Sequence, residues 1–314
     1  MAQNGSTNGA IDGPNNEAHY ELLKAVEPAV HQLMADHNER REHWYAHEIV
    51  PWEKGRSFRD EPWDESQCTI SPVARTSLVL NLLTEDNLPY YHSEIESHMK
   101  HASEVFQKWT NQWTAEEGQH AIAIRSYLLT TRNCDPYELE DDRLATMSTG
   151  FNTGAPNPTA VFAYTSAQEL ATRVSHRNAG KLTDDPVAYE LMGRIATDEN
   201  HHFMFYRGVI TAMLAEQPEL VLPYIYQQLD DFVMPGVGMP NFMRRAVEMA
   251  KAGVYNLRIH HDRVLKPLLR DWDVGSITGL TGASAEMQEK IMNLPDRVLR
   301  KAEILERRMG MTPA

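Results

Sequence analysis

Two Glu-x-x-His motifs occupy positions where a buried helix face would ordinarily carry leucine or isoleucine. Glu117 and His120 lie in the stretch WTAEEGQHAIAIRSYL, and Glu199 and His202 lie in DENHHFMFYRGVI. Residues three apart project from one face of a helix, and apolar residues at three- and four-residue spacing continue that face in both stretches. A bare buried carboxylate costs several kcal/mol unless something compensates it. A bound metal ion would compensate both motifs.

Each motif is preceded, at nearly equal distance, by a further glutamate on a predicted helix. Metal sites in ferritin-like bundles take one Glu from each of two helices and Glu-x-x-His from each of the other two. We therefore predict an all-α fold, with a ferritin-like four-helix bundle core and additional helices. Four carboxylates and two imidazoles favour two iron ions, because hard oxygen ligands stabilise the ferric state. The predicted metal ligands are Glu85, Glu117, His120, Glu169, Glu199 and His202.

Acidic neighbours of these residues leave alternatives open. Asp86 competes with Glu85 for the role of ligand, and a structural ion-pair network is the alternative to a metal site as a whole. Glu116 and Asp198 each precede a predicted ligand. We expect these two to accept the free ring N–H of a ligating histidine.

Helical patterns run through the chain from about residue 17 to its end. Ser-Pro or Asp-Pro pairs, which favour helix starts, occur at residues 71–72, 135–136 and 185–186. Residues 50–71 are predicted to form a loop, and Pro89 is predicted to bend a helix. We see no linker long enough to divide the chain, so we predict one domain over residues 17–314, behind a disordered tail at residues 1–16.

Composition argues against several classes of protein. The net charge of −14 and the lack of a basic tail argue against a nucleic-acid binder. No run approaches the roughly 18 apolar residues that a membrane span needs. The N-terminal residues lack the features of a secretory signal. Cys68 and Cys134 fit no zinc or iron–sulfur pattern and are typical of a reducing compartment, so we expect a cytoplasmic protein.

Longer stretches carry a family resemblance: TEDNLPYYH, WTAEEGQH, YTSAQELATRVSHRNAG and ATDENHHFMFYR. They resemble the soluble acyl-acyl carrier protein (acyl-ACP) desaturases of the stearoyl-ACP 9-desaturase type, and more closely their actinobacterial branch. The similarity extends over nearly everything after the N-terminal tail. It implies a homodimeric enzyme of fatty acid biosynthesis that uses O2 and two electrons at a di-iron centre. Its product is a cis double bond in a saturated chain carried by ACP, and its electron donor is a ferredoxin.

The resemblance also implies roles for individual residues. The six predicted ligands match the family's iron ligands, with Glu169 and Glu199 as the two bridging carboxylates. Asp198 matches a residue that hydrogen-bonds the histidine at His120. Trp44 matches the tryptophan at the outer end of a proposed electron path.

Further residues are expected to handle the substrates. Thr172 matches a threonine implicated in handling oxygen and protons. Phe162 is a candidate for lining the acyl channel, with plain core packing as its alternative. Arg40 and Arg41 are candidates for docking the acidic carrier. Residues 92–102 are more polar than expected for a helix that lines an acyl channel, which leaves substrate length open. A second candidate docking patch comprises Arg297, Arg300 and Lys301.

Other functions fit the sequence less well. A small subunit of ribonucleotide reductase places its radical tyrosine four residues after the first ligand histidine, where this chain has Ile124. An iron-storing ferritin is little more than its four helices, whereas a long segment follows His202 here. A di-iron hydroxylase or N-oxygenase stays open. An integral-membrane desaturase is excluded, since its clustered-histidine boxes and hydrophobic spans are missing.

Overall fold

The computed structural model describes residues 14–230, 232–236 and 238–311. These ranges contain helices and no strands, as predicted. The α-helices are α1 (Pro14–Arg40), α2 (Ala46–Ile49), α3 (Pro72–Glu85), α4 (Leu88–Met99), α5 (Glu104–Thr130), α6 (Pro136–Thr149), α7 (Pro158–Leu182), α8 (Pro186–Glu216), α9 (Pro218–Asp230), α10 (Phe242–Lys251), α11 (Leu257–His260), α12 (Lys266–Asp271), α13 (Gly282–Met292) and α14 (Leu294–Met309). A π-helical turn at His261–Leu265 joins α11 to α12. No helix in the described ranges is both long and apolar enough to cross a membrane.

The predicted helix starts are confirmed, and side-chain caps explain them. Ser71, Asp135 and Asp185 each stand directly before a proline and accept a hydrogen bond from a backbone N–H of the first helical turn. These caps satisfy donors that have no partner inside the helix. The proline that follows lacks an N–H and already has a helical φ. Local sequence therefore fixes where α3, α6 and α8 begin.

Three local predictions differ from the structure. Pro89 does not bend a continuous helix, because α3 ends at Glu85 and a new helix, α4, begins at Leu88 with the proline in its first turn, where a missing N–H is harmless. The predicted loop at 50–71 contains 3-10 turns at Trp52–Lys54 and Glu65–Gln67. Residues 14–16 of the predicted tail belong to α1, and residues 1–13 lie outside the described residues. That one domain spans residues 17–314 stays a prediction.

Helices α3, α5, α7 and α8 pack against one another as the core bundle, and α1 covers α5, α7 and α8. The buried apolar residues form two clusters rather than one. On α5, residues 105–113 belong to the first cluster and residues 123–128 to the second. On α8, residues 203–214 and 188–195 divide in the same way. The two Glu-x-x-His motifs fall in the gaps, so a polar layer crosses the middle of the bundle.

Helices α7 and α8 are in close contact at Gly180. A Cβ at this position would lie 2.8 Å from Cβ of Met192 and 3.5 Å from Cα of Tyr189. Both atoms are fixed to the backbone of α8 and cannot rotate away. The spacing of the helix pair that carries Glu169 and Glu199 therefore depends on a glycine.

Alanine substitutions at two helical glycines should have opposite effects on stability. Gly180→Ala should lower the free energy of unfolding by about 1–3 kcal/mol, because the added methyl overpacks the α7–α8 contact. Gly193→Ala, on α8 where a Cβ would meet nothing within 4 Å, should raise it by about 0.5–1 kcal/mol. Urea unfolding of both variants checks this. Equal effects at the two sites would contradict the close approach.

Candidate metal centre

The six predicted metal ligands converge inside the bundle from four helices. Each of the six residues is at most 6% exposed. Helix α3 supplies its last residue, α5 and α8 each supply a Glu-x-x-His pair, and α7 supplies a glutamate from its middle. These residues are Glu85, Glu117, His120, Glu169, Glu199 and His202.

Ligand atoms of these residues fall into two groups, and within each group all atoms lie within 4.8 Å of one another. The first group is Glu85, Glu117, His120 and Glu199. The second group is Glu117, Glu169, Glu199 and His202. Glu117 and Glu199 belong to both groups, which is the arrangement that two neighbouring ions with two shared carboxylates would need.

The shared pair differs from the pair expected to bridge the metals. Oε2 of Glu117 lies 3.2 Å from Nδ1 of His120, and its Oε1 lies 2.7 Å from Nδ1 of His202. Glu169 belongs to the second group only, so this geometry favours Glu117 and Glu199 as the carboxylates shared by two ions, whereas Glu169 and Glu199 were expected. The physical reason is that Glu117 shares a helical turn with His120 while facing His202 across the bundle. Of the two ligand histidines, Glu169 on α7 pairs only with His202, at 3.6 Å.

Four polar atoms of this cluster are buried without a hydrogen bond of normal geometry among the described residues: Oε1 of Glu117, Oε2 of Glu169 and the Nδ1 atoms of His120 and His202. Oε1 of Glu117 and Nδ1 of His202 lie 2.7 Å apart, so these two form a close ion-pair contact only. An unsatisfied buried polar group costs about 1–3 kcal/mol. Carboxylate oxygen and imidazole nitrogen are also the donors that iron and similar transition metals prefer. The donor set therefore fits two metal ions.

Buried acids crowd together in the cluster, and its two histidines offset part of their charge. Burial lowers the pKa of His120 and His202, but the charge of Glu117 and hydrogen bonds outweigh it and hold both pKa values well above the usual range. Burial, together with the charge of Glu199, raises the pKa of Glu169 well above its usual range and also raises the pKa of Glu117. Burial favours the neutral form of Glu199 too, but hydrogen bonds from His120 and His176 outweigh it and hold the pKa of Glu199 well below its usual range. Metal binding would release this strain by displacing protons from the buried carboxyl groups.

A hydrogen-bonded chain leads from His120 toward the surface. Nε2 of His120 lies 3.3 Å from Oδ2 of Asp198, and the indole N–H of Trp44 donates to the same oxygen at 2.8 Å. This is the contact that the resemblance implied for Asp198. With its N–H directed at Asp198, the ring of His120 turns Nδ1 toward the glutamates.

Three further side chains hold the glutamates in place. Thr172 donates from Oγ1 to Oε2 of Glu199 at 2.7 Å, and the indole N–H of Trp113 donates to Oε1 of Glu169 at 3.0 Å. Nε2 of His176 lies 2.9 Å from Oε1 of Glu85. Sequence reasoning did not single out His176. Its signal was the seven-residue spacing from Glu169, which places both on one face of α7.

Other predicted residues lie elsewhere. Asp86 pairs with Arg143 at 2.6 Å, which leaves Glu85 as the carboxylate that faces the cluster. Phe162 packs between Phe106 and Tyr206 in the core, the alternative given for it above.

The basic candidates for carrier docking have unequal exposure. Arg40 is exposed on α1, whereas Arg41 reaches inward to a buried carboxylate, Glu116, at 2.9 Å. In the second patch, Arg297 pairs with Asp230, while Arg300 and Lys301 are exposed.

A run of cavities leads from the surface toward the cluster. A groove of about 310 Å³ lies between α10 and α14 and shares the walls Ala246 and Tyr255 with a cavity of about 110 Å³. That cavity shares Pro235 with an apolar pocket of about 20 Å³ beside Trp113. The pocket is also lined by Tyr91, Ile95, Val161, Tyr164, Thr165 and Gln168. The cavities are neighbours, separated by the side chains that they share.

Known proteins provide the last observation. The family model described as "Fatty acid desaturase" matches residues 18–314. The chain is 40% identical over 282 residues to DesA1 of Mycobacterium tuberculosis, which is named as an acyl-acyl carrier protein desaturase; the match covers 86% of this chain and 83% of that one. It is 26% identical over 314 residues to the chloroplastic stearoyl-acyl carrier protein 9-desaturase of Spinacia oleracea, covering 94% of this chain and 78% of that one.

A solved structure supports the same fold. The crystal structure of DesA2 from Mycobacterium tuberculosis, 24% identical in sequence, superposes with a TM-score of 0.68 over 85% of this chain and 99% of that chain. At that identity the likeness concerns the fold alone. The family match over nearly the whole chain and the identity to DesA1 together show that the chain belongs to the fatty acid desaturase family.

Proposed function

We propose that this protein is an acyl-ACP desaturase that inserts a cis double bond into a saturated acyl chain carried by acyl carrier protein, using O2 and two electrons at a di-iron centre. The observation that carries the proposal is the pair of four-residue groups that share Glu117 and Glu199 inside the bundle. Its setting is a chain that is 40% identical to a protein named as an acyl-ACP desaturase.

In this proposal each ion has its own ligands and two shared ones. Glu85 and His120 would hold one iron and Glu169 and His202 the other, while Glu117 and Glu199 are within reach of both positions. When bound, the iron pair supplies the O2-dependent oxidising power that breaks an unactivated methylene C–H bond, which no amino-acid side chain provides.

The protein's own residues position the glutamates of the centre and hold a proton beside them. Oγ1 of Thr172 lies 2.7 Å from Oε2 of Glu199 and donates its hydroxyl proton to it in a hydrogen bond, beside the centre rather than in solvent. Trp113 lines the apolar pocket, and its indole N–H fixes Glu169. Apolar walls exclude water, which strengthens each of these electrostatic contacts.

The acyl chain is proposed to enter along the run of cavities from the α10–α14 groove. Exposed apolar residues at its mouth include Met243, Val247 and Leu305. Exposed basic residues stand on the same two helices outside the groove's own lining: Arg244, which lines a neighbouring pocket, Lys251, Lys301 and Arg308. They outnumber exposed acids such as Glu303 on these helices, so an acidic carrier would find complementary charge beside the apolar opening, which favours this face for docking.

The remaining partners rest on the resemblance. The chain has no flavin or nicotinamide fingerprint and no cluster cysteines, so a ferredoxin is proposed as the electron donor. Electrons are proposed to enter through Trp44, whose indole reaches Asp198 and thereby His120. A homodimer in the cytoplasm is the proposed working form.

The direct test combines reduced enzyme, ferredoxin and saturated acyl-ACPs of several chain lengths, followed by mass spectrometry of the products. A new double bond at one position is the expected result. A hydroxylated chain would instead assign the protein to another di-iron oxygenase class. Many irons per chain after aerobic loading would indicate storage.

Removing one buried charge should stabilise the metal-free protein while lowering its metal content. Glu169→Gln keeps an acceptor for Trp113 but removes an acid that must take up a proton when it is buried, because burial raises its pKa, so the free energy of unfolding in chelator should rise by about 1–2 kcal/mol. Iron per chain should fall from two to one, because Glu169 belongs to one group only. Glu190→Gln, exposed on α8, should stay within about 0.5 kcal/mol of the wild type. Wild-type iron content in Glu169→Gln would contradict the ligand assignment.

Replacing the proposed electron entry point should affect turnover without affecting iron content. Trp44→Phe removes the indole N–H that donates to Asp198. We expect two irons per chain and a ferredoxin-dependent rate at least about tenfold lower, a difference of about 1.4 kcal/mol in the barrier. A single turnover of chemically reduced enzyme should proceed at the wild-type rate. An equal loss in both assays would assign Trp44 a role in the chemistry instead.

Charge reversal on α10, beside the groove, should weaken the binding of acyl carrier protein. Arg244→Glu combined with Lys251→Glu should raise KM for acyl-ACP by about tenfold with little change in kcat, and high salt should shrink the difference. The matched control is Arg40→Glu, an exposed arginine on α1. If Arg40→Glu raised KM and the double variant did not, the carrier would dock on α1.

A further inference from the structure

The buried carboxylate behind His202 is held from several sides. Oε2 of Glu116 lies 2.9 Å from Nε2 of His202 and 3.0 Å from Nε2 of His37. Its other oxygen, Oε1, lies 2.9 Å from Nη1 of Arg41 in an ion pair and accepts a hydrogen bond from the side-chain amide of Gln112 at 2.8 Å. Glu116 is only 4% exposed. Both of its oxygens are therefore fully engaged, one of them by a guanidinium.

The partner of the other histidine has a different environment. Asp198, behind His120, receives a hydrogen bond from the neutral indole of Trp44. Among the described residues, no arginine or lysine pairs with Asp198 in the way that Arg41 pairs with Glu116. The two Glu-x-x-His motifs offer the same ligands, but the carboxylates that hydrogen-bond to their histidines have different surroundings.

Ring packing as well as hydrogen bonding holds His37 and His202 in place around Glu116. The ring of His37 stacks on that of His202, with centroids 5.8 Å apart and planes at 20°, and meets the edge of Trp109 at 4.9 Å. His37, Glu116 and His202 also lie close enough to form a third group of possible metal ligands. The guanidinium of Arg41 already supplies the positive charge there, so this group is an ion-pair network rather than a metal site.

We propose that Arg41 and His37 are positioning residues that lock Glu116 and, through it, the ring of His202, and thereby make the two metal positions unequal. A carboxylate behind a ligating histidine fixes the tautomer and the orientation of its ring, so a Glu116 that could turn away from His202 would leave that ring free to reorient. Asp198 holds His120 without Arg41 or His37, so the loss of Arg41 would affect only the metal position that His202 serves. This inference rests on the proposed di-iron centre. It also gives Arg41 a role other than carrier docking.

Metal titration tests the asymmetry without an activity assay. Wild-type protein and Arg41→Gln are titrated with cobalt(II), and with ferrous iron under argon, and the two binding steps are resolved by absorption and calorimetry. We expect Arg41→Gln to weaken one step by roughly tenfold and to leave the other unchanged. Arg41→Lys should recover part of the loss, since it keeps the charge without the planar fork. Arg40→Gln, at the neighbouring exposed arginine, should affect neither step.

A double substitution separates positioning from general stability. If Arg41 acts only through Glu116, then Arg41→Gln with Glu116→Gln should weaken binding no more than Glu116→Gln alone. Additive losses would overturn the inference, and so would equal weakening of both steps by Arg41→Gln. Wild-type protein that takes up no metal would remove the proposed di-iron centre itself. If the wild type binds metal in two steps and Arg41→Gln binds it with the same two affinities, only the positioning role would be overturned.

Discussion

Repulsion among four carboxyl groups in the middle of a helical bundle is the constraint on which the rest of this structure depends. Glu85, Glu117, Glu169 and Glu199 are each at most 6% exposed, and burial raises the pKa of Glu169 and Glu117. A layer like this is tolerable only where apolar packing above and below holds the helices together. The division of the core into two apolar clusters, with the acidic layer between them, is the architectural consequence. The close α7–α8 contact at Gly180 belongs to the same requirement, because α7 and α8 carry two of the four acids.

The surrounding hydrogen bonds decide how the acids share the charge. Trp113, Thr172 and His176 each bind a different glutamate, so the carboxylates are oriented before any ion arrives. Asp198 and Glu116 play the matching part for the histidines, by directing each ring's Nε2 outward and its Nδ1 inward. Such preorganisation lowers the cost of binding, because few side chains must reorient. The orientation of the candidate metal ligands therefore depends on the side chains that hydrogen-bond to them.

The sequence predicted the parts of the site that periodicity encodes and missed those that depend on how helices meet. Helical spacing was enough to place all six residues of the two groups on inner faces, and cap chemistry was enough to start α3, α6 and α8. Spacing does not say which carboxylate oxygen faces which histidine, so Glu117 rather than Glu169 emerged as the second shared residue only from the structure. The contacts of Arg41 and His37 with Glu116 could not be predicted from the sequence, for a related reason. Their pairing with Glu116 joins α1 to α5 across more than seventy residues of chain, and no local pattern signals such a contact.

The polar stretch on α4 also finds its explanation in a distant contact. Glu94 lies on the wall of the apolar pocket beside Trp113, where a carboxylate would be an unfavourable neighbour for an acyl chain. Its oxygens accept hydrogen bonds from the backbone N–H of Thr153, at 3.0 Å, and from the hydroxyl of the same residue. Glu94 thus ties α4 to the loop before α7 and closes the pocket with a polar rim. Because the pocket has a volume of only about 20 Å³, close to that of one water molecule, an acyl chain can enter only if its walls move. Tyr91 and Ile95 line the pocket on the same face of α4 as Glu94. The attachment of α4 through Glu94 to Thr153 would therefore limit how far these two walls could move apart.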